Sequence, residues 1–126
     1  MEERHRSVVD RYLAAYNAFD VPGMLALMDP EVEFRNVAGG VVTAQADGVE
    51  ELRRLAGQAA ALFTTRRQTV TDYAEDGDVA TVGIDYEGVL AADLGPGLAA
   101  GDTLRLQGRS TFHLRDGRIV RIVDES

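Results

Sequence analysis

A carboxylate continues the apolar side of the last predicted strand. Val120, Ile122 and Asp124 share one phase of a two-residue alternation, and Arg118 joins that side only at the turn end. An aspartate on an apolar face must be desolvated or paired, and either condition shifts its pKa. Asp124 is therefore a candidate general acid or base. A solvated carboxylate close to the end of the sequence is the alternative interpretation.

Three more polar residues are candidates for the same site. Asn36 follows the apolar phase of a predicted first strand, and Ser110 follows that of the strand before the Asp116-Gly117 turn. Asp85 falls on the polar phase of its strand, so the pattern places it in water unless a bulge or another subunit intervenes. For each residue the alternative is an ordinary hydrogen-bonded or solvated side chain.

Three apolar side chains on the same phases are expected to line a cavity with these polar groups. These apolar side chains are Phe34, Phe112 and Ile122. Tyr12 and Tyr16 lie four apart on a predicted first helix, where their rings belong to the core and their hydroxyls can reach the cavity. The two histidines, His5 and His113, are too far apart in the sequence to indicate a metal site. We therefore expect neither a metal nor a cofactor.

Composition predicts one soluble domain over residues 1–126, with 45% hydrophobic and 27% charged residues. The net charge of −8 disfavours nucleic acid and anionic membrane surfaces as partners. There is no cysteine, which excludes a disulfide framework and a thiolate nucleophile. The N-terminal residues lack the apolar run of a signal peptide, so a cytoplasmic location is the expectation.

The periodicity predicts helices first and strands later. One helix covers residues 4–19, a second runs from the cap Asp20 to Met28, and a third follows Asp47-Gly48. Strands are expected at 31–36, 65–73, 79–90, 104–115 and 118–124, with a loop, a short extended piece and a second loop over 37–47. This order predicts an α+β fold, in which a curved antiparallel sheet wraps around three N-terminal helices as a cone.

Four segments resemble a known superfamily, and they are residues 9–20, 24–34, 47–50 and 114–119. The chain is similar over nearly its whole length to the nuclear transport factor 2-like superfamily. This superfamily includes ketosteroid isomerases, SnoaL-like polyketide cyclases, limonene epoxide hydrolases and scytalone dehydratases. The resemblance implies a cone-shaped, cystatin-like α+β roll and a single SnoaL-like domain. It specifies the fold more closely than the function, because enzymes and binding modules share it.

The resemblance also implies roles for individual residues. The polyketide cyclases are similar in having an asparagine at Asn36 and an acid–base aspartate at Asp124, but their pocket histidine corresponds to Ser110. In the ketosteroid isomerases the oxyanion tyrosine corresponds to Tyr12, whereas their base and oxyanion aspartates correspond to Asn36 and Ser110. The epoxide hydrolases share counterparts of Asn36, Asp85 and Asp124, although their arginine and tyrosine correspond to glycine and phenylalanine here.

Together these arguments predict a cofactor-free acid–base enzyme of the cyclase or isomerase type. Asp124 would move a proton next to a carbonyl of a hydrophobic, polyketide- or terpenoid-like ligand. Asn36 would stabilise the oxyanion or orient the substrate, assisted by Tyr12 or Ser110. Phe34, Ser110, Phe112, Ile122 and Tyr16 would bind the ligand.

Two alternatives stay open from the sequence. The first is epoxide hydrolase-like addition of water by Asp124 and Asn36, with Asp85 as the acid. The second is a non-catalytic ligand-binding or dimerisation domain. We also expect a homodimer that buries the outer face of the sheet near Arg109 and His113, together with Thr111 between them.

Overall fold

The computed structural model describes residues 3–126. It contains three helices, which are α1 (Arg6–Asn17), α2 (Val21–Leu25) and α3 (Val49–Ala60). Its six strands are β1 (Met28–Ala38), β2 (Val41–Asp47), β3 (Phe63–Asp76), β4 (Val79–Leu90), β5 (Thr103–Arg115) and β6 (Arg118–Glu125). No helix within residues 3–126 has both the length and the apolarity that crossing a membrane requires.

All six strands belong to one curved sheet in the order β2-β1-β6-β5-β4-β3. Every neighbouring pair is antiparallel except β1 and β6, which run parallel. The helices pack on the concave face, where the buried side chains of α1, α2 and α3 join those of the sheet in one core. The predicted α+β fold is confirmed.

The second helix is shorter than its apolar residues predict. Asp20 caps it as expected, because its Oδ1 accepts a hydrogen bond of 3.0 Å from the backbone N–H of Gly23. The helix ends at Leu25, and the backbone carbonyl of Leu27 accepts a hydrogen bond of 2.9 Å from Ile119. Pairing with β6 therefore draws this segment into the sheet, and β1 begins at Met28.

The core lies on the apolar phases of β1, β4, β5 and β6. Phe112, Ile122 and Val32 are completely buried there. Tyr12 of α1 packs against Phe112 in a T-shaped contact, with ring centroids 5.5 Å apart. These contacts close the narrow part of the cone between α1 and the sheet.

The register of β6 places polar groups directly beside this core. Asp124 pairs with Asn36 of β1 on one side and with Ser110 of β5 on the other. One step deeper, Ile122 pairs with Phe112 and Phe34 in the same two strands. Because paired residues point to the same face of a sheet, a polar row follows an apolar row towards the opening.

The C-terminal end of α1 is fixed to β3, which is an edge strand of the sheet. The side chain of Asn17 donates to the carbonyl of Gln68 at 3.2 Å and accepts from its N–H at 2.8 Å. Arg66 Nε donates to the carbonyl of Tyr16 at 2.9 Å. These bonds satisfy exposed edge groups of the sheet and hold Tyr16 over its concave face.

A substitution at Gly108 can test how closely β5 and β6 approach each other beside the polar row. A Cβ at this position would collide with the backbone carbonyl of Glu125, which cannot rotate away. We expect Gly108→Val to lower the free energy of unfolding by about 1–3 kcal/mol, measured by urea denaturation. Gly57→Ala is the control, since its Cβ meets nothing within 4 Å on α3, and it should raise stability by roughly 0.5–1 kcal/mol. Equal stability of Gly108→Val and the parent would contradict this packing.

Candidate functional site

A cavity of about 300 Å³ opens above the polar row, between the sheet and the end of α1. Its polar lining includes Asn36, Gln68, Ser110 and Asp124. Its aromatic lining consists of Tyr16, Phe63 and Tyr86, and it also includes aliphatic side chains such as Ile84, Leu104 and Leu106. Two residues of opposite charge, Arg109 and Glu125, belong to the lining as well. The cavity thus combines apolar walls with a few convergent polar groups, as small-molecule sites do.

Asp124 is the titratable group at the base of the cavity. The hydroxyl of the buried Ser110 donates a hydrogen bond of 2.6 Å to Asp124 Oδ1. Burial raises the pKa of Asp124 from 3.8 to about 6, and the Ser110 hydrogen bond opposes that shift in part. Near neutral pH the carboxyl can therefore both accept and return a proton, as a general acid or base must.

Asn36 lies beside Asp124 and is oriented by an irregularity in the sheet. It pairs with Ala44 while the next residue pairs with Val42, so Thr43 is the extra residue of a β-bulge. The Asn36 Nδ2 group donates to the Thr43 hydroxyl at 2.8 Å. This contact uses one of the two amide hydrogens. The other hydrogen and the amide oxygen are free to bind a ligand.

An aromatic wall faces the polar row. The hydroxyls of Tyr16 and Tyr86 are 2.9 Å apart and share a hydrogen bond. Phe63 packs against Tyr86 in a T-shaped contact with ring centroids 5.9 Å apart. Tyr86 shares the apolar phase of β4 with Ile84, a pattern that does not distinguish a site residue from an ordinary core residue.

The other aromatic and aliphatic candidates lie deeper than the sequence analysis predicted. Phe112 and Ile122 are completely buried and do not line the cavity, because they belong to the apolar row one step below it. Phe34 is half-buried against the same core and is also outside the lining. Tyr12 is 4% exposed and packs on Phe112, so its hydroxyl lies below the cavity surface. Burial and the charge of Asp124 both raise the pKa of Tyr12.

Asp85 lies on the opposite side of the sheet from Asp124. It is exposed in an outer-face groove that also contains charged side chains such as Arg67 and Glu87. The pairing of β4 with β5 has no bulge, so strict alternation keeps Asp85 outside. The proposed acid of the epoxide hydrolase alternative is therefore separated from the other two residues of that mechanism.

The histidines do not approach the cavity residues. The His5 ring is hydrogen-bonded to Asp78 at 3.1 Å near the turn between β3 and β4, and His113 lies on the outer phase of β5. Within residues 3–126 there is no cluster of three or more His, Cys, Asp or Glu side chains suited to a metal ion.

Arg66 is a buried residue that the sequence analysis missed. The residue is 4% exposed, and its guanidinium lies behind the aromatic wall, 3.7 Å from the centre of the Tyr16 ring. The surrounding segment, residues 64–69, carries polar side chains on both phases, so alternation gave no signal. Gln68, which lines the cavity, was missed for the same reason.

The sequence matches the model of the SnoaL-like domain family over residues 9–122. A candidate polyketide cyclase from Xanthomonas campestris pv. campestris is 25% identical, with a TM-score of 0.78 over 98% of this chain and 90% of that one. A candidate polyketide cyclase from Silicibacter sp. TM1040 is 26% identical, with a TM-score of 0.75 over 95% and 86% of the two chains. TerC, co-crystallised with polyporic acid, shares the fold at 21% identity and a TM-score of 0.76 over 95% and 88%. No curated protein sequence matches the chain.

The pKa of Asp124 predicts a pH dependence of stability. Since that pKa rises from 3.8 to about 6 on folding, the folded state binds this proton more tightly than the unfolded state. The resulting stabilisation is fully present below about pH 4 and is lost as the pH rises through about 6. Relative to the parent, Asp124→Asn should therefore gain about 2–3 kcal/mol between about pH 4 and pH 7, measured by urea denaturation.

Asp76→Asn is the matched control, because it removes an exposed carboxylate from the end of β3. Its stability relative to the parent should stay within about 0.5 kcal/mol across the same pH range. A stability difference between Asp124→Asn and the parent that is the same at both ends of this range would show that Asp124 does not titrate with a raised pKa.

Proposed function

This chain belongs to the SnoaL-like domain family, and on that premise we propose that it is an acid–base enzyme that needs no cofactor. The observation that carries the proposal is the pair of half-buried Asp124 and buried Ser110 at the base of the cavity, where desolvation raises the pKa of Asp124 to about 6. An ordinary surface aspartate is fully ionised at neutral pH and is a weak base. Because burial raises its pKa, Asp124 is a stronger base than a surface aspartate.

The proposed reaction is proton transfer at a carbon next to a carbonyl. The Asp124 carboxylate takes the proton, the C–H electron pair forms a carbon–carbon double bond, and the carbonyl pair moves onto oxygen. The proton then returns from Asp124 to a carbon of the ligand, so the carboxylate is regenerated. Asn36 orients the substrate with the amide groups not committed to Thr43, and Ser110 positions the carboxylate.

The ligand is proposed to be a hydrophobic small molecule of polyketide or terpenoid type. The rings of Tyr16, Phe63 and Tyr86 and the neighbouring aliphatic side chains offer a surface for such a carbon skeleton. The similarity to candidate polyketide cyclases and the complex of TerC with polyporic acid support a small-molecule ligand.

Association of two copies through the outer face of the sheet is also part of the proposal. That face carries a wide groove between β3, β4 and β5, and Thr111 and His113 are half-buried on the same side. Sedimentation velocity at micromolar concentration should show a dimer, and a monomer throughout that range would contradict it.

Replacement of Asp124 separates catalysis from binding. Asp124→Asn keeps the shape of the side chain and can still accept the Ser110 hydrogen bond, but it cannot take up the proton. Turnover of a substrate identified by screening should fall about 10²–10⁴-fold, while ligand affinity measured by calorimetry stays within a few-fold of the parent value.

Asp76→Asn is again the control and should turn over at the parent rate. Turnover by Asp124→Asn at the parent rate would remove Asp124 from the mechanism. A non-catalytic binding domain predicts a different result, in which the parent shows no turnover and affinity depends on the aromatic wall rather than on Asp124.

A further inference from the structure

Arg66 is a buried cation without an ionic partner in the described part of the chain. Its Nε donates to the Tyr16 carbonyl at 2.9 Å, but Nη1 and Nη2 have no hydrogen-bond partner among residues 3–126. No carboxylate lies within ion-pair distance of it in that range. Burying an unpaired charge is costly, so its retention calls for a role besides packing.

Two aromatic rings hold the guanidinium in place. Its central carbon lies 3.7 Å from the centre of the Tyr16 ring and 4.7 Å from that of Phe19. Phe19 reaches this position with a φ of 59°, a left-handed conformation that bulky residues disfavour and that glycine normally supplies at the end of a helix. The residue that covers the second face of the cation is thus also one with a strained backbone.

The front of the Tyr16 side chain faces the cavity, where its hydroxyl pairs with that of Tyr86. The pair carries two hydroxyl protons, of which one forms the bond between the tyrosines and one is left for a ligand. The charge of Arg66 acts to lower the pKa of both tyrosines, against the larger effect of burial. The negative charge of Asp124 acts in the opposite direction on the pKa of Tyr86.

The cavity therefore has the Asp124 carboxyl at one side and a cation-backed hydroxyl pair at the other, and the opposite charges of Arg109 and Glu125 also lie in its lining. We propose that the Tyr16–Tyr86 pair, backed by Arg66, holds the ligand oxygen that gains negative charge, so that the site selects compounds forming an enolate or phenolate. This inference rests on the proposed function, because it places the oxyanion of that reaction. Tyr12, to which the family resemblance gives this role, lies below the cavity surface.

In the reaction, Asp124 receives the proton from carbon while the carbonyl oxygen receives the electron pair. The hydroxyl left over from the tyrosine pair donates to that oxygen, and Arg66 acts through the Tyr16 ring as a positioning and electrostatic residue. When the proton returns to carbon, the oxygen becomes a carbonyl again and this hydrogen bond weakens. Such donors accelerate a reaction because they bind the developing charge more strongly than the ground state.

Two matched probes test the anion preference without any turnover. The first is 4-nitrophenol at a pH above its own pKa, where its phenol oxygen is an anion, and the second is neutral nitrobenzene, which has the same ring and nitro group but lacks that oxygen. Binding of both is measured by calorimetry at one pH and low salt. The parent should bind the phenolate more tightly than nitrobenzene, and Tyr86→Phe and Arg66→Met should each reduce that preference by ~10-fold.

Two control variants remove a tyrosine hydroxyl and an arginine side chain away from the cavity. Tyr73→Phe loses a hydroxyl that bonds Glu75, and Arg105→Met loses an exposed cation on the outer face, so both should keep the parent preference. A parent that binds both probes equally, or variants that lose affinity for both equally, would overturn the proposal. If Arg66→Met does not fold, Tyr86→Phe decides the question alone.

The Asp124→Asn experiment distinguishes failure of the proposed base from failure of the proposed anion site. A phenolate preference that depends on Tyr86, together with Asp124-independent turnover, would reject the proposed base and support the anion site. Asp124-dependent turnover without any phenolate preference would reject the anion site and support the base.

Discussion

The position of β6 between β1 and β5 is the constraint on which the cavity depends. It is parallel to β1 and antiparallel to β5, so Asn36, Asp124 and Ser110 fall into one row. A shift of either pairing by one residue would turn Asp124 to the opposite face of the sheet from its partners. Thr43, as the extra residue of the bulge beyond this row, then fixes the Asn36 amide. The strand register thus determines which polar side chains meet at the site.

Burial has two effects on this site. It makes the row chemically useful, because a carboxyl surrounded by apolar walls holds its proton up to about pH 6. It also lowers stability wherever a charge goes unpaired, as at ionised Asp124 and at Arg66, and the backbone of Phe19 adds strain nearby. These costs are concentrated around one cavity, while the apolar row of Phe112 and Ile122 below it is fully buried. Such local departures from good packing are expected where a protein binds or reacts.

The sequence predicted the features that follow from local alternation. The hairpin of β5 and β6 turns at Asp116-Gly117, whose φ angles of 53° and 77° suit a tight turn. The interior placement of Asn36, Ser110 and Asp124 followed from the same two-residue period. Alternation also predicted an exposed Asp85, and the unbroken register of β4 with β5 leaves it there.

The remaining features depend on tertiary contacts that no local pattern reports. The tyrosine pair forms because α1 crosses the sheet at β3 and β4, far away in sequence from Tyr86. Arg66 and Gln68 occupy an edge strand with polar residues on both faces, so only the docking of α1 buries them. Likewise, the start of β1 at Met28 depends on pairing with β6 near Ile119, which lies about ninety residues later.

A direct titration of Asp124 tests the central claim most closely. In ¹³C-labelled protein, the carboxyl resonance of Asp124 can be assigned by its absence from the spectrum of Asp124→Asn and followed as a function of pH. Desolvation of this carboxyl predicts a titration midpoint of about 6. A midpoint at or below roughly 4, the value of a solvated aspartate, would contradict a desolvated acid–base group at this position.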